Sequence, residues 1–126
     1  MTKKIDAIIR QEKLHIVKGA LSDIGIVGMT VTEVKGRGRG EGIQMQWRTG
    51  RYNVDLLPRI LISIVLSDEN VDATVEAIKK SAKTGDKGDG MIFIYPVENV
   101  IRISTGEEGH DAISYQGDID TRRKQT

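Results

Sequence analysis

The chain contains no cysteine, which rules out disulfides, thiolate nucleophiles and cysteine-ligated metal. Aromatic residues are scarce: one Trp, one Phe and three Tyr in 126 residues. That is too few for a sheet face that stacks successive bases. An excess of one charge is also missing. Nineteen Lys and Arg against eighteen Asp and Glu leave a formal net charge of +1, so no global basicity draws the chain to nucleic acid. No apolar run approaches the ~20 residues of a membrane span. The opening Met1-Thr2-Lys3-Lys4-Ile5-Asp6 lacks the apolar segment of a signal peptide. These absences predict a cytoplasmic protein with no membrane insertion and no nucleic-acid partner. What is present is ordinary for a globular protein, 38% hydrophobic and 29% charged, in a length that suits one domain with a small core.

Periodicity divides the chain into six main elements. Residues 4–10 alternate, with Ile5, Ala7 and Ile9 on one face, and read as a strand. Residues 12–24 carry Leu14, Val17, Leu21 and Ile24 at helical spacing, with Gly25 as a stop. Residues 28–35 alternate around β-branched Thr30, Val31, Thr32 and Val34, a second strand. Residues 59–66 form a nearly continuous apolar strand, suited to the centre of a sheet. Residues 69–83 read as a helix on Val71, Val75, Ile78 and Ala82, with Ser67 or Asp68 as its N-cap. Residues 91–95 give a fourth strand, extended at 100–104. The order βαββαβ is the ferredoxin-like, α+β pattern, with both helices on one face of an antiparallel sheet. The opposite face, read as apolar, needs another cover, and oligomerisation supplies it. Between the second and third strands, 36–52 has four glycines in its first seven residues and reads as a long exposed loop, a length that is usually functional. Residues 114–126 are polar and read as a mobile tail.

Three segments carry the chemistry. Gly28-Met29-Thr30 runs on to Gly36-Arg37-Gly38-Arg39. Thr84-Gly85-Asp86-Lys87-Gly88-Asp89-Gly90 is glycine-rich. Ile101-Arg102-Ile103-Ser104-Thr105-Gly106-Glu107 closes the set. Glycine lets backbone amides approach an anion closely, and the neighbouring Arg and Lys add charge. A lone Gly-Asp-Gly is an ordinary turn leading into a strand; the three segments in this order mean more. Together they resemble the PII signal-transduction proteins of nitrogen regulation, over residues 1–113.

The resemblance implies a homotrimer that binds ATP, ADP or AMP in clefts between subunits. It implies that Ile8, Gly28, Met29, Thr30, Gly36, Arg37, Gly38 and Arg39 line one side of the cleft. Gly88, Asp89, Gly90 and Arg102 would line the other, with Ser63 near the base and Lys87 near the phosphates. The long loop, about 37–56, corresponds to the family's T-loop, which contacts regulated partners such as an ammonium channel, glutamine synthetase or a transcription regulator. The five arginines from Arg37 to Arg59 face only Glu41 and Asp55, and Trp47, Arg48, Arg51 and Tyr52 are the expected partner contacts. Tyr52 falls where some relatives are nucleotidylated.

This chain departs from the family pattern at several positions. Met91 replaces a lysine after Gly-Asp-Gly, and Ser104 replaces an arginine after the Ile-Arg-Ile run. Two phosphate-binding cations are therefore absent. A 2-oxoglutarate site with Mg²⁺ is implied at Gly38, Gly40 and Arg59, but Gly40 stands where the family's metal-binding glutamine belongs, and Glu41 opposes a dicarboxylate. Neither His15 nor His110 has acid–base or metal partners at suitable spacing, and no nucleophilic triad or Walker lysine occurs. The expectation is a regulator and not an enzyme. The competing expectations are a sensor of another small anion and a ferredoxin-like interaction module.

Overall fold

The computed structural model describes residues 1–38, 43–47 and 50–124, the strands at 43–47 and 50–54 by their backbone. Strand β1 (Thr2–Arg10) leads through a 3₁₀ turn into α1 (Leu14–Asp23). Then come β2 (Thr30–Gly36), β3 (Ile43–Trp47), β4 (Gly50–Val54), β5 (Leu57–Ser67), α2 (Val71–Ala82), β6 (Gly90–Val97) and α3 (Ile119–Lys124). The main sheet is antiparallel, in the order β2-β5-β1-β6. This is the α+β, ferredoxin-like arrangement that the periodicity predicts.

The core lies on one face of that sheet. Ile5, Ala7 and Ile9 of β1 and Ile60, Ile62, Ile64 and Leu66 of β5 are buried against Val17 and Leu21 of α1 and Ile78 and Ala82 of α2. Each fully buried Ile or Leu contributes about 1.5–3 kcal/mol, so the alternation in these two strands fixes which face turns inward. Gly25 ends α1 at φ 90°, and the Ile26 amide reaches back to the Leu21 carbonyl at 2.9 Å, the bond of a glycine-terminated helix.

Five expectations need correction. The face opposite the helices is mixed and not simply apolar. Ser63 and Tyr95 both donate hydrogen bonds to Asp6, and Lys4 lies 3.6 Å from the same carboxylate. These groups satisfy one another, so they can share a sheet face with Ile8, Leu61 and Met91. Ser67 and Asp68 do not cap α2. Ser67 instead shares a 3.0 Å hydrogen bond with His110 Nδ1, and Asp68 pairs with the N-terminus at 3.5 Å. Residues 43–54 form a two-stranded antiparallel ribbon separate from the main sheet, with Met45 opposite Tyr52, inside what reads as plain loop. The run at 100–104 is a turn and not a strand. Ile101 makes one bridge to Glu108, and the Gly106 amide bonds the Arg102 carbonyl at 2.8 Å. Past Ile113 the chain is docked, at least to Lys124. Asp118 is buried, Ile119 packs on the core, and the Ile119 amide bonds the Gly25 carbonyl at 2.8 Å.

Candidate functional site

The residues singled out in the sequence gather at two separate places on the sheet. The first is an open hollow of about 1010 Å³ where β2 begins, lined by Gly28, Met29, Thr30, Ser63 and Arg102. The register explains the grouping: Thr30 is paired with Ser63 across β2–β5. The second place is a corner where β1 ends. Ile9 pairs with Gly90, Ile8 with Met91, and Arg10 with Arg59.

The expected division of the cleft therefore changes. Arg102 belongs with Gly28–Thr30, and Ile8 belongs with Gly90. The eight residues of β6, at about 3.3 Å each, carry the chain roughly 26 Å from the Gly90 corner before it turns at 102. Within one chain the hollow and the corner are separate places.

At the corner, Gly90 is a structural necessity. Gly90 has φ +117°, and a Cβ there would overlap the Ile8 carbonyl oxygen. Gly88 has φ +91°, and a Cβ would lie 3.1 Å from an Arg59 Nη2 and 3.5 Å from an Arg10 Nη2. Gly36 completes the corner, with Arg59 Cγ 3.6 Å from the position of its missing Cβ. Two guanidiniums thus flank the Gly88 backbone, the arrangement an anion would meet. Arg10 was not among the candidates read from the sequence. Period-two alternation from Ile8, together with its place at a strand end, was the available signal.

Asp89 faces this loop and organises it. Its carboxylate accepts from the Thr84 hydroxyl, from the Thr84 and Gly85 amides at 2.9 Å each, and from Arg10 Nε at 3.0 Å. Led by the Thr84 hydroxyl, these donors outweigh partial burial and hold the carboxyl well below the usual carboxylate range. Arg10 also donates to the Lys87 carbonyl at 2.7 Å. The Lys87 side chain is exposed. Asp89→Ala is expected to cost about 1–2 kcal/mol of stability and to release Arg10. A carboxyl depressed on folding stabilises above its unfolded pKa near 4 and loses that contribution as pH falls through the folded value. The gap between wild type and Asp89→Ala, read by urea unfolding, should therefore stay constant from pH 7 to 5 and narrow below about pH 4. A gap unchanged down to pH 2.5 would contradict the assignment.

At the hollow, Ser63 donates to Asp6 Oδ1 at 2.7 Å. Burial raises the Asp6 pKa, but hydrogen bonds from Tyr95 and Ser63 and the Lys4 charge outweigh it, so the group lies below its ordinary value. Arg102 lies 3.9 Å from Glu107, donates to the Ser114 carbonyl at 3.4 Å, and sits 5.0 Å from the centroid of the Tyr115 ring. Tyr115 was also missed, because its segment reads as tail.

The remaining candidates are apart. Arg37 pairs with Asp55 at 3.2 Å, exposed, and Gly38 has open space around it. Arg59, at the corner, also donates to the carbonyl of the preceding residue, Pro58, at 2.9 Å. Arg39, Gly40 and Arg48 lie outside the described residues, as do the side chains of Trp47, Arg51 and Tyr52. Among the described residues there is no His, Asp and Glu cluster fit for a metal, and no helix long and apolar enough to cross a membrane.

The fold is a small ferredoxin-like α+β module, with glycine turns and two guanidiniums gathered at one corner of its sheet. A sequence model described as Nitrogen regulatory protein P-II matches residues 2–107. The chain is 56% identical over 111 residues to the Nitrogen regulatory protein P-II of Pasteurella multocida (strain Pm70), covering 88% of this chain and 99% of that one. It is 58% identical over 111 residues to Nitrogen regulatory protein P-II 2 of Methanothermobacter thermautotrophicus, covering 88% and 96%. The corresponding Rhizobium meliloti protein is 53% identical over 111 residues, covering 88% and 99%. The chain belongs to the nitrogen regulatory protein P-II family.

Proposed function

We propose that this P-II protein is a cytoplasmic homotrimer that senses adenine nucleotides in the clefts between its subunits. It reports their state to a regulated partner through the T-loop, here the β3–β4 ribbon and its flanks. It is a binding regulator and not an enzyme. The observation that carries the reading is the separation of the half-sites. The Gly28–Thr30, Ser63 and Arg102 hollow and the Gly88–Gly90, Arg10 and Arg59 corner are separate places on one sheet, which suits a cleft that takes its two sides from neighbouring chains. Exposed apolar groups on edge strand β6, including Met91, Phe93 and Ile94, favour burial against another copy.

ATP, ADP or AMP would place its phosphates at the Gly88 corner, where Arg10 and Arg59 offer guanidiniums and glycine backbone allows close approach. Met91 and Ser104 leave the terminal phosphates short of cations. Ligation of Mg²⁺ with 2-oxoglutarate is disfavoured by Gly40 and Glu41, although Arg59 retains a carboxylate-binding fork. A second reading, a sensor of another small anion, draws on the same pair of guanidiniums.

Two measurements test the proposal together. Light scattering at micromolar concentration should give three times the 13.9 kDa chain mass; a clean monomer would remove the cleft. Calorimetry with ATP, ADP and AMP should show binding of similar strength, with little gain when Mg²⁺ and 2-oxoglutarate accompany ATP. Micromolar 2-oxoglutarate binding with Mg-ATP would restore the ordinary family site, and binding of none of the three nucleotides would leave the small-anion reading.

A further inference from the structure

We propose that Tyr115 is a built-in competitor for the nucleotide site, held in the hollow by the segment that follows the P-II match. This rests on the nucleotide reading above and assigns a regulatory device to the same site.

The segment lies beyond the family match. The P-II model stops at residue 107, and relatives are matched over 96–99% of their own length by 111 residues of this 126-residue chain. Tyr115 and α3 lie past the end of the family match at residue 107, yet the segment is not loose. At its far end α3 is moored to Asn70, the residue before α2. Asn70, 1% exposed, donates to Asp120 at 3.0 Å and accepts from Arg123. Asp118, buried, accepts from the Tyr115 amide at 2.8 Å and from the Thr121 amide and hydroxyl at 2.9 Å each. Gly117, at φ +76°, lets the chain turn between them.

This mooring aims Tyr115 at both ligand-binding groups of the hollow. Its phenol tip is pressed on the Gly28 backbone: a Cβ at Gly28 would lie 2.6 Å from the hydroxyl oxygen and 2.8 Å from Cζ and Cε2. The close approach that glycine permits is used by the chain's own side chain. The Tyr115 ring also faces the Arg102 guanidinium at 5.0 Å, and the Ser114 carbonyl accepts from it. A nucleotide that takes the Gly28 backbone and Arg102 must displace both contacts. Tyr115 itself is partly exposed, so it can swing out while α3 stays attached. Ligand binding and Tyr115 docking are then mutually exclusive, and each weakens the other by the same factor.

Calorimetric titration of the full-length protein with ADP tests this in wild type, Tyr115→Ala and Asp118→Asn. The second variant loosens the mooring without altering any group in the hollow. Both should bind ADP about 5- to 30-fold more tightly than wild type, within the usual range of coupling between sites. An ADP affinity that falls in Tyr115→Ala makes the ring a supporting wall and overturns the proposal. Unchanged affinity in both variants, with wild type binding ADP, overturns it alone. Binding by the variants but not by the wild type supports it in its strongest form. Binding by none of the three overturns the nucleotide reading and this proposal with it.

Discussion

Gly90→Ala should unfold the corner of the sheet, where Gly88→Ala only rearranges it. At Gly90 the new methyl overlaps the Ile8 carbonyl oxygen and lies 2.8 Å from its carbon. Both atoms belong to the central strand's backbone, which has no rotamer to escape into. The backbone at φ +117° adds strain of about 1–3 kcal/mol for any side chain, and forced displacement of packed atoms adds about 1–3 kcal/mol. The expected loss, on the order of 2–6 kcal/mol, is a large part of the ~5–15 kcal/mol that holds a domain together. At Gly88 the strain is similar, but the nearest atoms are the ends of Arg59 and Arg10, which can move. Urea unfolding of both variants should rank Gly90→Ala far below Gly88→Ala. Equal losses would mean that the β1–β6 register at Ile9 and Gly90 is wrong.

Met91→Lys should selectively tighten ATP. Met91 follows Gly90 on β6, is paired with Ile8, and is 61% exposed. An ammonium there adds a cation beside the corner where Arg10 and Arg59 already stand. A charge-assisted bond contributes about 1.5–3 kcal/mol, so ATP affinity should rise roughly 10-fold or more. ADP should gain less, and AMP should be indifferent. In the wild type, with Met91 and Ser104 both uncharged, the three nucleotides should bind alike. A wild type that already prefers ATP strongly, or a Met91→Lys that leaves ATP unchanged, would place the phosphates elsewhere.

The sheet was legible because its signal is local and repeated. Ile5, Ala7 and Ile9, and Ile60, Ile62 and Ile64, alternate without a break, and each sits in the core as the period requires. The ribbon is hidden because the glycine density around it masks its period. Ile43-Gln44-Met45-Gln46-Trp47 alternates as strictly as β1, and Tyr52 and Val54 continue it on the partner strand. The segment 114–124 was read as tail because its docking rests on polar groups. Asn70, Asp118 and Asp120 leave no apolar period to count, and only Ile119 joins the core. Which candidates share an end of the sheet could not be read at all, since that depends on strand direction and register. Arg102 and Asp89 are close in sequence, but the length of β6 lies between them.

The strand order has a consequence for how the chain is made. The central strand β1 leaves the ribosome well before either of its partners. Ile5 pairs with Ile64 on one side and Ile94 on the other, about 60 and about 90 residues later. Until then β1 emerges with an apolar face and two unpaired edges, a template for pairing with other nascent chains. Closing such long loops slows folding relative to locally connected folds, so the sheet cannot assemble until almost the whole domain has been synthesised. Synthesis on neighbouring ribosomes of one message would bring such waiting strands together.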